Sequence, residues 1–189
     1  MSTPVLDILV IPTYNTKTLG IADASTYPTP PPDVLSPTIE ITVPGFGMVS
    51  LAFNMDDFNV YTSSTLGITA LGDSLLPLPD GIYQLKYQAQ YNAVWYSVEK
   101  SIMRVDKIQE KFDAAFMKLD MMECDKAIKT QAKVDLNSIY FFIQGAVAAA
   151  NNCAVVEAEK LYATADKMLN RFISGNCGCS GNNYVINFN

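Results

Sequence analysis

The chain has 189 residues, 49% of them hydrophobic, with 19 acidic residues against 13 basic ones and a formal net charge of -6. That apolar content excludes a wholly disordered chain, and the length supports one sizeable core or two small ones. The negative balance repels phosphate backbones and so argues against nucleic-acid readout. The lack of histidine removes imidazole acid–base chemistry, Ser-His-Asp and Cys-His arrangements and His-ligated metals.

Neither a phosphate-binding P-loop nor a strand-linked GxGxxG occurs, so we expect no cofactor and no enzyme. MSTPVLDILV lacks the basic start of a secretory signal. No window reaches the ~18 to 20 consecutive apolar residues of a membrane span. The expectation is a soluble protein made in a cytosol, without a membrane partner.

In chain order, residues 1–37 open with an apolar run, Val5 to Ile11, that reads as a strand. The proline-rich stretch up to Pro37 follows, stiff and extended. It is either a surface loop crossing the domain or an arm reaching a neighbouring subunit. Residues 38–92 read as β. Thr38 to Val43 alternates strictly, placing Ile39, Ile41 and Val43 on one face, and Pro44-Gly45-Phe46-Gly47 turns into a return strand, Met48 to Phe53. Phe58 to Thr62, Leu66 to Ala70 and Ile82 to Tyr87 are further short strands, with a turn at Leu78-Pro79-Asp80-Gly81. Short strands with regular turns suggest a small sandwich of immunoglobulin-like or C2-like type.

Residues 93–174 read as helical. Val94, Val98, Ile102, Val105, Ile108, Phe112, Phe116 and Leu119 recur at three- and four-residue spacing. A second helix spans about Asp125 to Ala149, a third about Ala154 to Ile173, with Asn151-Asn152 as the turn between them. Tight loops make these an antiparallel three-helix bundle. All ten prolines precede residue 80, which sets the helical half apart. Residues 175–189 form a Cys/Gly turn and a strand-like tail, YVINFN, with no partner beside it in sequence.

Several residues invite chemistry. Up-down-up helices would bring Cys124 towards Cys177 and Cys179, a candidate thiol cluster for zinc, but C-x-C spacing and a missing fourth ligand weaken it. A disulfide is the second reading, and unreactive thiols in a Gly/Ser/Asn turn the preferred one. Asp56, Asp57, Asp73 and Asp80 offer oxygen donors for calcium, although loop aspartates more often cap turns. Tyr83, Tyr87 and Tyr91, with Trp95 and Tyr96 at the expected domain junction, would suit a glycan-binding platform or a hinge core where sheet meets helix, the latter preferred.

The second helix is apolar on several sides, and Phe141 and Phe142 fall on different sides of its Ile139–Ile143 stripe. Such a helix needs covering on several faces. Ile139, Phe142, Ile143, Val147 and Ala148 are therefore candidate subunit contacts, packing against the β domain being the other reading. Tyr184, Ile186 and Phe188 of the tail are further candidates, by strand addition to a sheet edge.

The proline-rich TYPTPPPDVLSPTIEITVPGFG, the LPLPDGIYQLKY strand and the histidine-free helical half closed by GNCGCSGNN together resemble virion structural proteins of tailed bacteriophages. The likeness is to neck and tail ring proteins of crAss-like phages and spans most of the chain. It implies a non-enzymatic ring subunit at the head-to-tail neck or in the tail, assembled in the host cytoplasm. Copies of itself and other neck or tail proteins would be its partners. A binding module, with the sandwich recognising a glycan or partner and the helices oligomerising, is the alternative.

Overall fold

Period-two alternation governs the chain as far as Arg104, and the helical period takes over at Asp106. A computed structural model describes residues 3–11, 17–26, 34–52, 54–55, 61–69, 75–123, 125–174, 176–179 and 182–185. The strands are β1 (Ile8–Ile11), β2 (Thr18–Asp23), β3 (Val34–Val43), β4 (Gly47–Ala52), β5 (Asn54–Met55), β6 (Tyr61–Thr69), β7 (Leu75–Leu76), β8 (Gly81–Tyr91) and β9 (Val94–Arg104). Helices α1 (Asp106–Met121), α2 (Lys126–Asn151) and α3 (Val155–Ser174) follow, then β10 (Asn176–Cys179) and β11 (Asn182–Val185). The fold is α+β, strands first and helices after. Packing divides it into two units, Met1–Pro79 with Tyr83–Ile102, and Asp80–Ile82 with Met103–Asn189.

The first unit carries two antiparallel sheets. One runs in the order β1-β2-β6-β5, with β7 also on β6, and the other in the order β4-β3-β8-β9. The alternation expected in β3 is realised, since Ile39, Ile41 and Val43 are all buried. Tyr83, Leu85, Tyr87 and Ala89 of β8 join them, with Ile8, Leu19, Ile21 and Leu66 from the other sheet, in a single apolar cluster. Thr38 pairs with Gln88 but Leu35 with Gln90, so Ser36 and Pro37 together face Ala89. Proline cannot donate to a ladder, and a bulge of this kind accommodates it.

Three expectations are corrected here. Residues 1–37 are not a separate arm where the structure describes them: β1 pairs with β2, β2 with β6, and Val34 to Pro37 lie within β3. Ile8, Leu19 and Ile21 enter the first unit's core, which is what holds β1 and β2 there. The proline stretch 27–33 lies outside the described residues, as do Phe58 and Val60.

The first helix does not begin near residue 93. Val94 to Arg104 form β9, next to β8 in the sheet. Val94, Val98 and Ile102 are four apart, and a spacing of four satisfies a period of two as well as a helical turn. The β-branched and aromatic residues around them favour the strand. Asn92 and Ala93, with φ of 47° and 62°, make the two-residue turn that matches strand twist.

The tail is the third correction. Tyr184 and Val185 do have a partner beside them, because Cys177 pairs with Tyr184 and Asn176 with Val185 in a hairpin. Cys177 and Cys179 thus belong to a strand, not to a turn.

In the second unit, Ile108, Phe112, Ala115 and Leu119 of α1 share a buried cluster with Leu136, Ile139 and Ile143 of α2 and Ala165 and Leu169 of α3. Ala146, Ala150 and Ala158 form a smaller one with Met103, where small side chains bring α2 and α3 close. α2 begins on Asp125, whose side chain accepts from the Ala127 N–H at 2.8 Å. It ends with Cys153 at φ 59°, the Cys153 N–H on Ala150 O and the Ala154 N–H on Ala149 O. Those two bonds with one left-handed residue are a Schellman stop.

α1 is capped differently. Val105 at its N-cap position has no side-chain oxygen to offer. Asp80 supplies it from far upstream: Oδ1 accepts from the Lys107 N–H at 3.0 Å and Oδ2 from the Ile108 N–H at 3.1 Å. The Tyr162 hydroxyl of α3 donates to the same Oδ2 at 2.9 Å. Burial, and then the Asp80 charge, push the Tyr162 hydroxyl above its ordinary value, so it stays a donor.

Candidate interaction surface

The surface that calls for a function is the outer face of α2. Its inward stripe is complete within the chain: Ala132, Leu136, Ile139, Ile143, Ala146 and Ala150 are all buried. The side chains at 131, 134, 138, 141 and 148 point the other way and are exposed, at spacings that keep them on one helix face. Phe141 is 74% exposed and Val134 51%. From Leu136 to Val156 the chain holds no charged residue, so this face from Ser138 to Ala148 lacks the charges that usually mark a solvated helix side.

Charge is confined to the first part of the helix. Lys133 pairs with Asp120 at 2.6 Å and stands 5.4 Å over the Phe116 ring. The hydrogen bond from Lys133 holds the Asp120 carboxyl below its ordinary value. Phe112 and Tyr140 lie 5.6 Å apart between centroids and close the groove between α1 and α2 from within. The stretch from Leu136 to Val156 has no charged side chain to form an ion pair.

The structure sorts the candidates. Ile139 and Ile143 are 2% and 0% exposed in their own chain's core, and Phe142 is half-buried against the same cluster. α3 covers the alanine-rich faces that seemed to require another subunit. Val147 is half-buried, and Ala148 is exposed on the outer face. Tyr184 lies in β11, while Ile186 and Phe188 lie outside the described residues. Phe141 and Val134 are exposed apolar side chains that sequence reasoning did not single out, although the placing of Phe141 off the Ile139–Ile143 stripe was the signal for it.

The other tempting residues separate likewise. Tyr83 and Tyr87 are 0% exposed, so they cannot stack on a sugar. The Tyr83 hydroxyl donates to Pro79 O at 2.8 Å and that of Tyr87 to Asp23 at 3.1 Å, which satisfies both inside the core. Tyr91 instead meets Tyr96 edge-on at 6.3 Å. Asp80 is engaged by α1, and Asp56, Asp57 and Asp73 lie outside the described residues, as does Cys124. Cys153 is a free, exposed thiol. Among the described residues no group of three or more His, Cys, Asp or Glu is placed to hold a metal, and no helix is long and apolar enough to cross a membrane.

The chain matches no protein-family model and no curated protein sequence.

Proposed function

We propose that this chain is a structural subunit of an oligomeric ring in a tailed-phage particle, at the head-to-tail neck or in the tail, acting through protein–protein contacts without catalysis. Its partners are copies of itself and other neck or tail proteins, and it assembles in the host cytoplasm. In this reading the two sheets form a small sandwich of immunoglobulin-like or C2-like type and the helices an antiparallel bundle. The observation that carries it is the uncharged outer face of α2 with Phe141 at its centre. Removing a phenylalanine side chain from water stabilises an interface by about 1.5 to 3 kcal/mol. Contacts between different faces of neighbouring copies close into a ring when the rotation permits.

Phe141→Glu and Ala148→Glu place a charge on this face without touching the buried stripe. Sedimentation velocity of each variant should show loss of the higher multimer, with the helical circular dichroism of the native chain retained. Variants that sediment like the native chain would remove α2 from the contact.

A further inference from the structure

Open sheet edges are pairing templates, and soluble proteins guard them with charges, short strands or irregular register. Among the described residues, the edges at β1, β9, β5 and the two-residue β7 are guarded in these ways. Lys100 of β9 donates to Ile8 O of β1 at 2.6 Å and pairs with Asp7 at 2.5 Å, so one lysine serves both edges. β5 is two residues long, and its register on β6 shifts between Asn54 and Met55. β4 differs. It reads GMVSLA, without charge, proline or register shift against β3, and among the described residues β3 is its one hydrogen-bonded strand partner.

We propose that β4 pairs antiparallel with β4 of a second copy, joining two four-stranded sheets across a two-fold axis at Ser50. The occupant follows from charge and parity. Each copy carries a net charge of -6, and an uncharged strand is where two such surfaces meet with least repulsion. Val49 and Leu51 are half-buried against the first unit's core, whereas Met48, Ser50 and Ala52 face solvent, Met48 at 69%. Residues opposite each other in an antiparallel pair share a face, so a self-pair must keep this parity. A two-fold at Ser50 sets Val49 opposite Leu51 of the second copy and Met48 opposite its Ala52. The half-buried row then continues from one sheet into the next. A two-fold at Val49 would set Leu51 against Gly47, whose φ of 85° belongs to the turn.

The register makes the test specific. Ser50→Cys brings two thiols opposite each other, while Met48→Cys leaves its pair roughly 13 Å apart at the rise of an extended strand. Mild oxidation of the full-length chain should give a cross-linked dimer with Ser50→Cys, at least tenfold above Met48→Cys and above the native chain with its own four cysteines. Ser50→Lys, outward-facing and so compatible with the fold, should raise the dimer dissociation constant at least tenfold by sedimentation equilibrium. Cross-linking at position 50 no greater than at 48, or an unchanged dissociation constant for Ser50→Lys, overturns the proposal. It stands apart from the α2 contact: Phe141→Glu should leave the Ser50→Cys cross-link intact, so either contact can fail without the other.

Discussion

Cys153 occupies a position that chemistry gives to glycine. Its φ of 59° is the left-handed C′ residue of the α2 stop, and a side chain there is strained. Cys153→Gly should stabilise the protein by about 1 kcal/mol, read from the shift of a denaturant unfolding midpoint. The sequence pointed at this turn through Asn151-Asn152, but the left-handed residue came one place later. Asn152 instead uses its side chain to donate to Ala148 O at 3.0 Å.

Asp7 is a second case at this scale. The Lys100 hydrogen bond, aided by the Ile8 N–H and the lysine charge, holds its carboxyl below the ordinary 3.8 despite some desolvation. The unfolded chain therefore takes up this proton more readily. The pair's contribution is complete above about pH 4 and is lost as pH falls through the lowered folded value. Asp7→Asn should flatten the stability-versus-pH curve in that acid range. At neutral pH the loss should be at most about 1 kcal/mol, since both partners are well exposed.

Strands and helices were legible to unequal degrees. α2 and α3 were readable to within two residues because long apolar stripes, an Asp125 cap and a turn marked by asparagines all agree. β9 was not, because its apolar residues fall four apart and fit both periods. Its pairing with β8 is a tertiary fact that local spacing does not carry. The α1 cap was equally hidden. Asp80 reads as a turn residue in Leu-Pro-Asp-Gly, and only the fold brings it to Lys107 and Ile108. Asp80→Ala removes the acceptor for two helix N–H groups and the Tyr162 hydroxyl, and should cost about 2 kcal/mol. Tyr162→Phe should cost about 1 kcal/mol alone and markedly less in the Asp80→Ala background. Equal costs in both backgrounds would separate the tyrosine from the cap.

At the scale of the whole molecule, two surfaces depart from what an isolated soluble domain presents. One is the uncharged α2 face around Phe141, the other the plain β4 edge. The first was half visible in the sequence: α2 was expected to need cover from another subunit, and its buried stripe is covered by α1 and α3 of its own chain. What the sequence could not separate was which side of a helix apolar on several faces its own chain would bury. The second was invisible without the sheet order, since a strand's place at an edge is set by partners far away in the chain. Ring assembly is tested most directly by mass photometry of the purified native chain across a dilution series. It predicts one discrete multimer of fixed copy number that persists on dilution, with no open-ended ladder. A monomer at every concentration would contradict it.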